Sequence, residues 1–116
     1  MITMMLQFKY TSDAMKAIFL SGEDRSEAIR KMIQPLGGNL ICTYGMQGQD
    51  YHMMIAEFPS MKEYIAVAAK GIFLGGAIAD YKAIQLISSE VLKDASSLIG
   101  GIEYSQKSKF SNKIWA

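Results

Sequence analysis

Alternating apolar positions in this chain predict four β-strands. Between Ile2 and Tyr10, apolar residues recur at every second position, which is the period of a strand with one buried face. We expect strands over Ile2–Tyr10, Asn39–Met46, Asp50–Phe58 and Ile78–Ile87. The connection Gln47-Gly48-Gln49 is short enough to make an antiparallel hairpin of the second and third strands.

Apolar residues at helical spacing predict helices between and after these strands. One helix follows Ser21-Gly22-Glu23-Asp24, carries a single apolar stripe and stops at Gly37-Gly38. Another begins at a capping box, Ser60-Met61-Lys62-Glu63, in which the serine side chain accepts from the Glu63 amide and the glutamate reaches back. A further helix follows Ser88-Ser89, and a short one is expected over Ala14 to Leu20.

The order of these elements is strand, helix, strand, strand, helix, strand, with an extra C-terminal helix. It predicts an α+β fold of the ferredoxin-like β-α-β-β-α-β type, with a four-stranded antiparallel sheet. We expect one domain over residues 1–104 and a basic C-terminal tail over residues 105–116, which carries Lys107, Lys109 and Lys113. The tail is expected to be solvated, and a contact with RNA or lipid is the alternative.

Both faces of the predicted sheet carry apolar residues. In the third strand Tyr51, Met53 and Ile55 point one way, while His52 and its alternate neighbours Met54, Ala56 and Phe58 point the other way. The helices of one chain cover only one face, and neither face has the polar pattern of a solvated surface. The simplest cover for the second face is a second copy of the same sheet, so we expect a homodimer.

Composition narrows the class of protein. The chain has 116 residues, of which 50% are apolar, and a net charge of +1, so it has enough apolar surface for a core and no strong field for nucleic acid or membrane. The single cysteine, Cys42, favours a reducing compartment. No apolar stretch is long enough to span a bilayer, and we therefore expect a cytoplasmic protein.

Short motifs in this chain resemble the GYD-domain family of small bacterial and archaeal proteins. Lys9-Tyr10-Thr11, Leu36-Gly37-Gly38, Leu40, Tyr44 and Gly48 follow one another in the order of that family. The resemblance extends from about Ile2 to Val91. It implies a fold of the dimeric α/β-barrel type, dimerisation and a pocket for a small molecule.

The chain also departs from the family pattern. The family has tyrosine before aspartate after its glycine, whereas Asp50 precedes Tyr51 here, and Tyr81 and Ala83 stand where the family has threonines. The family has no established reaction, so the resemblance implies no catalytic residue.

The candidate chemistry lies near the mouth of the hairpin. His52 is the only histidine, so we expect no metal site, and we expect no cofactor. If the protein binds a small molecule, the predicted ligand-binding residues are Tyr44, Asp50, Tyr51 and His52. Strand alternation puts Tyr51 and His52 on opposite faces, so only part of this set lines any one pocket.

Three functions fit the sequence. The first is a dimer that binds a small apolar or aromatic ligand, in a pocket to which part of the four-residue set near the hairpin contributes. The second is a cofactor-independent enzyme of the barrel class, resembling a monooxygenase or an isomerase. The third is a subunit that docks a protein partner.

Overall fold

The computed structural model describes residues 1–105 of the chain, and the predicted tail from residue 106 onward lies outside the described residues. The chain divides into two compact units, the first over Met1–Leu86 and the second starting at Ile87. The first unit contains β1 (Ile2–Tyr10), α1 (Ser12–Ser21), α2 (Arg25–Ile33), β2 (Asn39–Met46), β3 (Tyr51–Phe58), α3 (Met61–Ala68) and β4 (Ile78–Leu86). This order confirms the ferredoxin-like α+β fold.

The four strands form one antiparallel sheet in the order β2-β3-β1-β4. Met5 of β1 lies opposite Ile55 of β3 and opposite Ile84 of β4, which fixes the register in the middle of the sheet. A bulge between Leu40 and Cys42 in β2 shifts the alternation of that edge strand by one residue. Because side chains alternate along each strand, paired residues of neighbouring strands lie on the same face, and the sheet has two faces made of alternate residues.

We call the two faces the covered face and the open face. The covered face packs under the helices, and its buried side chains are Met4, Leu6, Phe8 and Tyr10 of β1, Leu40 of β2, and Met54, Ala56 and Phe58 of β3. The open face carries the alternate residues, which include Met5, Tyr44, Tyr51, Met53, Ile55 and Ile84.

Two helices complete the core on the covered face. Ile29 and Ile33 of α2 and Tyr64 and Val67 of α3 are buried against the sheet residues. The chain leaves α2 through a short 3-10 turn over Gln34–Leu36. Two residues after that turn a glycine is needed, because a Cβ at Gly38 would lie 2.8 Å from the Cβ of Ile33. The apolar stripe predicted for this helix is therefore confirmed as its packing face.

The helix starts follow the predicted caps with one exception. The side chains of Thr11 and Asp24 accept hydrogen bonds from backbone amides in the first turns of α1 and α2, as N-caps do. Ser60 occupies the N-cap position of α3, but its hydroxyl donates to the Glu63 carboxylate and does not accept from a backbone amide. The serine half of the predicted capping box is therefore wrong, because the hydroxyl is directed at the Glu63 carboxylate and not at a backbone amide.

The hairpin turn is one residue longer than predicted. Its residues run from Gln47 to Asp50, and Asp50 is in the turn instead of in β3. Asp50 has a φ of 57° and Gly48 a φ of 98°, so two turn positions have left-handed backbone. Aspartate tolerates that conformation better than most residues with a side chain, which explains how it closes the turn.

The second unit contains the predicted C-terminal helix. Helix α4 spans Ser89–Ser96, and the Ser88 hydroxyl caps it by accepting a hydrogen bond from the Val91 amide at 3.3 Å. The apolar side chains of this unit are largely exposed, among them Leu92 at 57% and Leu98 at 68%. In the part of the chain that the structure describes, no helix combines the length and the apolar character needed to cross a membrane.

Candidate functional site

A cavity of about 120 Å³ lies between the covered face and the helices, entirely within the first unit. We call it the core cavity. Its lining residues are Leu6, Phe8, Tyr10, Arg25, Ile29, Met32, Met54, Phe58, Tyr64, Val67, Ala68, Gly71, Ile72, Ala77 and Ile78. The lining is almost wholly apolar, as in most small-molecule sites.

The core cavity exists because α3 and the turn after it carry small residues where they face the sheet. Ala68 is buried at the end of α3, and the chain continues into a π-helical turn over Ala69–Phe73. Gly71 lies in that turn, where an added Cβ would contact the Met32 methyl at 3.4 Å. Because neither residue projects a long side chain toward the sheet, the helix layer packs less tightly here than a close-packed core does.

Arg25 is the one charged residue in the lining of the core cavity. Its Nε donates to the Tyr10 hydroxyl oxygen at 3.4 Å, and its Nη1 lies 3.3 Å from Oε2 of Glu23. The hydrogen bond to Tyr10 is the main cause that raises the pKa of Arg25 above its ordinary value. A permanent positive charge therefore lies beside an apolar space, held by a buried ring.

Tyr64 contributes a further polar side chain to the lining of the core cavity. The residue is 5% exposed, and no group among residues 1–105 makes a hydrogen bond with its hydroxyl. Burial raises the pKa of Tyr64, and the nearby Tyr81 hydroxyl raises it further. Buried hydroxyls usually have a hydrogen-bond partner. Because the Tyr64 hydroxyl has none among the described residues, it is a neutral donor available to a ligand in the core cavity.

A second concave region, the hairpin groove, lies at the mouth of the β2–β3 hairpin. It has a volume of about 650 Å³. Its lining residues are Lys9, Tyr10, Ser12, Met15, Phe19, Gly45, Met46, Gln47, Gly48, Asp50, Tyr51 and His52. The groove is larger and more polar than the core cavity, and Tyr10 contributes to both.

The structure brings together three of the four predicted site residues. Asp50, Tyr51 and His52 line the hairpin groove, whereas Tyr44 is outside its lining. The register places Tyr44 on the open face, where it is 65% exposed and pairs with Met53. Tyr51 and His52 point to opposite faces, as the alternation predicts, because His52 pairs with Phe8 on the covered face.

His52 packs against aromatic rings. Its ring stacks on Phe8 with centroids 5.8 Å apart and meets the edge of Tyr10 at 5.0 Å. Burial lowers the pKa of His52 below its ordinary value, so the imidazole is neutral at neutral pH. Since Phe8 and Tyr10 also line the core cavity, His52 supports the cavity wall from the groove side.

Tyr51 is engaged by a carboxylate on the open face. Its hydroxyl donates to Asp80 of β4, a bond that crosses over β1. This hydrogen bond lowers the pKa of Asp80 and raises the pKa of Tyr51. The proton of the Tyr51 hydroxyl is therefore engaged in a hydrogen bond to the edge strand β4.

Arg25 and Tyr64 are the polar residues of the core cavity that the sequence does not reveal as site residues. Arg25 is the first residue of α2, in a segment of alternating charge that has the pattern of a solvated helix face. Tyr64 lies on the apolar stripe of α3, which predicts a core position and nothing more. Only the register and the helix packing place both beside one space.

Metal binding is not supported by any cluster in the described part of the chain. Within residues 1–105, no three side chains of the histidine, cysteine, aspartate or glutamate types come together in a way that suits a metal ion.

Comparisons with known proteins support the fold. No family model matches the chain, and no curated protein matches it in sequence. The crystal structure of FFRP-DM1 superposes with a TM-score of 0.50 at 16% identity, over 75% of this chain and 100% of that chain. Protein Atu4242 from Agrobacterium tumefaciens superposes with a TM-score of 0.51 at 12% identity, over 77% of this chain and 94% of that one. At such identities the likeness concerns the fold alone.

Proposed function

We propose that the protein is a homodimer in which each subunit binds one small apolar or aromatic molecule in the core cavity. The observation that carries this proposal is the cavity itself, about 120 Å³ of space lined by apolar side chains. An engineered apolar cavity of about 150 Å³ binds benzene, so the space suits a single ring or a short branched chain.

The lining favours a flat ring over a polar ligand. Phe8 and Phe58 supply aromatic faces and edges, and Met32 and Met54 supply flexible thioethers that pack well against rings. Most of the favourable free energy would come from apolar surface that leaves water. The Tyr64 hydroxyl offers one hydrogen bond to a polar substituent on such a ring.

The dimer is proposed from the open face. Met5, Ile55 and Ile84 form an apolar row across its middle, Met53 extends this row beside Gln7, and polar residues such as Lys9 lie toward the end of the strands. A patch of this kind with a polar rim is typical of a protein interface. A second copy fits it because the same patch then faces itself about a two-fold axis, which agrees with the resemblance to GYD-domain proteins.

The four residues predicted at the hairpin have two different roles in this proposal. Tyr44 lies on the open face and would be covered in the dimer. Asp50, Tyr51 and His52 line the hairpin groove, which is the second candidate ligand site. His52 also affects the core cavity indirectly, through its contacts with Phe8 and Tyr10.

The geometry of the core cavity favours binding over turnover. None of the described lining residues is a carboxylate, a histidine or a lysine, which are the usual general bases for proton abstraction. Burial raises the pKa of Tyr64, so its hydroxyl stays protonated and is less available to take up a proton than that of an ordinary tyrosine. We therefore prefer the ligand-binding dimer to the cofactor-independent enzyme. The subunit that docks a protein partner is the remaining alternative.

Filling the cavity tests the proposed function. Ala68→Leu adds three carbon atoms inside the cavity, whereas Ala66→Leu adds the same atoms at an exposed position of the same helix. Toluene titrated into the wild-type protein and into Ala66→Leu should bind equally, as followed by NMR chemical shifts. Ala68→Leu should lose at least about tenfold in affinity, because the ring and the new side chain occupy the same space.

The proposal fails if toluene does not bind the wild-type protein, or if Ala68→Leu binds it as well as Ala66→Leu does. If His52→Gln abolishes binding while Ala68→Leu leaves it intact, the ligand belongs in the hairpin groove. Recovery of chemically altered ligand after incubation would favour the enzyme.

A further inference from the structure

The core cavity has one charged residue at its wall, and from this we infer that its natural ligand is a small organic acid. The ligand would place a ring or a branched chain in the cavity and a carboxylate on the Arg25 guanidinium. This inference rests on the proposed function and names the chemical class of its ligand.

Arg25 has free hydrogen-bond donors for an anion. A guanidinium carries five N–H groups in a planar fork, and the contacts of Arg25 engage Nε with Tyr10 and Nη1 with Glu23. The Nη2 amino group makes no hydrogen bond with any residue in the described range 1–105. A carboxylate that approached the Nη1–Nη2 end of the fork and displaced Glu23 from Nη1 would form the paired hydrogen bonds that arginine and carboxylates favour.

The existing partner of Arg25 is easily displaced. Glu23 and Arg25 have side chains that are 44% and 40% exposed, and their N···O distance is 3.3 Å. Exposed ion pairs of this kind contribute little to stability. A ligand carboxylate that is held in place by its ring would therefore compete well with the glutamate for the same guanidinium.

The Tyr10 hydroxyl keeps the charge beside the cavity. Tyr10 is 7% exposed, lines the core cavity and accepts the hydrogen bond from Arg25 Nε. Since the phenol ring is fixed by its contacts with Phe8 and His52, the guanidinium has an anchored partner on the sheet side. A molecule with an apolar body and a single negative charge matches this arrangement of an apolar wall and one cation.

Three compounds that carry the same phenyl ring and differ in charge test the inference: benzoate, its neutral methyl ester and the benzylammonium cation. Each is titrated into the full chain at fixed ionic strength and followed by NMR. We expect benzoate to bind at least about tenfold tighter than methyl benzoate, which corresponds to one charge-assisted contact. Benzylammonium should bind weakest, because its charge opposes that of Arg25.

Two matched arginine variants locate the contact. Arg30 lies on the same helix, is exposed and pairs with Glu27 at 2.8 Å, so Arg30→Gln removes the same charge away from the cavity. Arg25→Gln should weaken benzoate about tenfold more than it weakens toluene, while Arg30→Gln, which lies outside the cavity lining, should leave both affinities unchanged. Arg25→Lys keeps the charge but not the planar fork, so its affinity for benzoate should lie between those of the wild type and Arg25→Gln. It replaces Arg25→Gln in the comparison if that variant does not fold.

The inference is overturned if benzoate and its ester bind the wild-type protein equally, or if the two glutamine variants weaken benzoate equally. In both cases the cavity would still bind rings, and the proposed function would stand. If no ring compound binds at all, toluene included, the proposed function fails together with the inference.

Discussion

The two faces of the sheet are built from alternate residues of the same strands, yet they have opposite surroundings. Phe58 on the covered face is 1% exposed, whereas Ile84 on the open face is 47% exposed. The chain provides helices for the first face and leaves an apolar surface on the second. The same strands thus provide a buried interior and an exposed apolar surface; we propose a ligand for the first and a second copy of the chain for the second.

The largest effect should follow from truncation on the covered face. Phe58→Ala removes a ring that packs against Tyr64 with centroids 5.5 Å apart and should lower the free energy of unfolding by about 3–5 kcal/mol. Ile84→Ala, measured by the same denaturant unfolding at low protein concentration, should cost less than about 1.5 kcal/mol. Equal losses would contradict the difference between the two faces.

A charge on the open face should break the proposed dimer. Ile84→Lys places an ammonium in the apolar centre of that face, and burying an unpaired charge costs several kcal/mol. Gln85→Lys is the matched control, because the next residue points to the other face at an exposed position of the same strand. Light scattering should find a monomer for Ile84→Lys and a dimer for both Gln85→Lys and wild type. A monomeric wild-type protein would show that the open face has another role.

The contribution of His52 to the pH dependence of stability should appear as a difference between the wild-type protein and His52→Gln. Burial lowers its pKa in the folded state, so the unfolded chain takes up the proton more readily as the pH falls. The folded state therefore loses stability from about pH 7.5 to about pH 5.5, and His52→Gln should lose less over that interval. Identical pH profiles for the two proteins, from thermal unfolding midpoints, would show that the imidazole titrates as it does in water.

A smaller effect should appear at the start of α3. The hydrogen bond from the Ser60 hydroxyl is the main cause that holds the pKa of Glu63 below its ordinary value. Ser60→Ala removes that donor, so the pKa of Glu63 should rise toward the ordinary range in a carboxyl-carbon NMR titration. An unchanged pKa would show that the hydroxyl does not face the carboxylate in solution.

Much of the fold follows from local patterns in the sequence. Alternation from Ile2 to Tyr10 and the turn residues around Gly48 were enough to predict the strands, because period and turn chemistry are local properties. The capping-box motif does not predict where the Ser60 hydroxyl points, because its rotamer depends on side-chain geometry around Glu63. Sequence spacing does not determine that geometry.

The candidate site was less accessible to sequence reasoning. His52 drew attention as the only histidine, yet its surroundings are two aromatic rings. Arg25 and Tyr64 belong to different helices and meet at one cavity only after both helices pack on the sheet. The core cavity exists partly because Ala68 and Gly71 have short or no side chains. Small residues on a helix do not by themselves indicate in the sequence whether they leave a cavity or allow close packing.

The central claim is that a small ring enters the core cavity on the covered face. The most direct measurement is a toluene titration of the full chain with labelled methyl groups, which reports on each face separately. We expect the methyl signals of Met32, Met54 and Ile72, which line the core cavity, to shift, and those of Met5 and Ile84 on the open face to stay unchanged. Shifts confined to the open face, or none at saturating toluene, would contradict it.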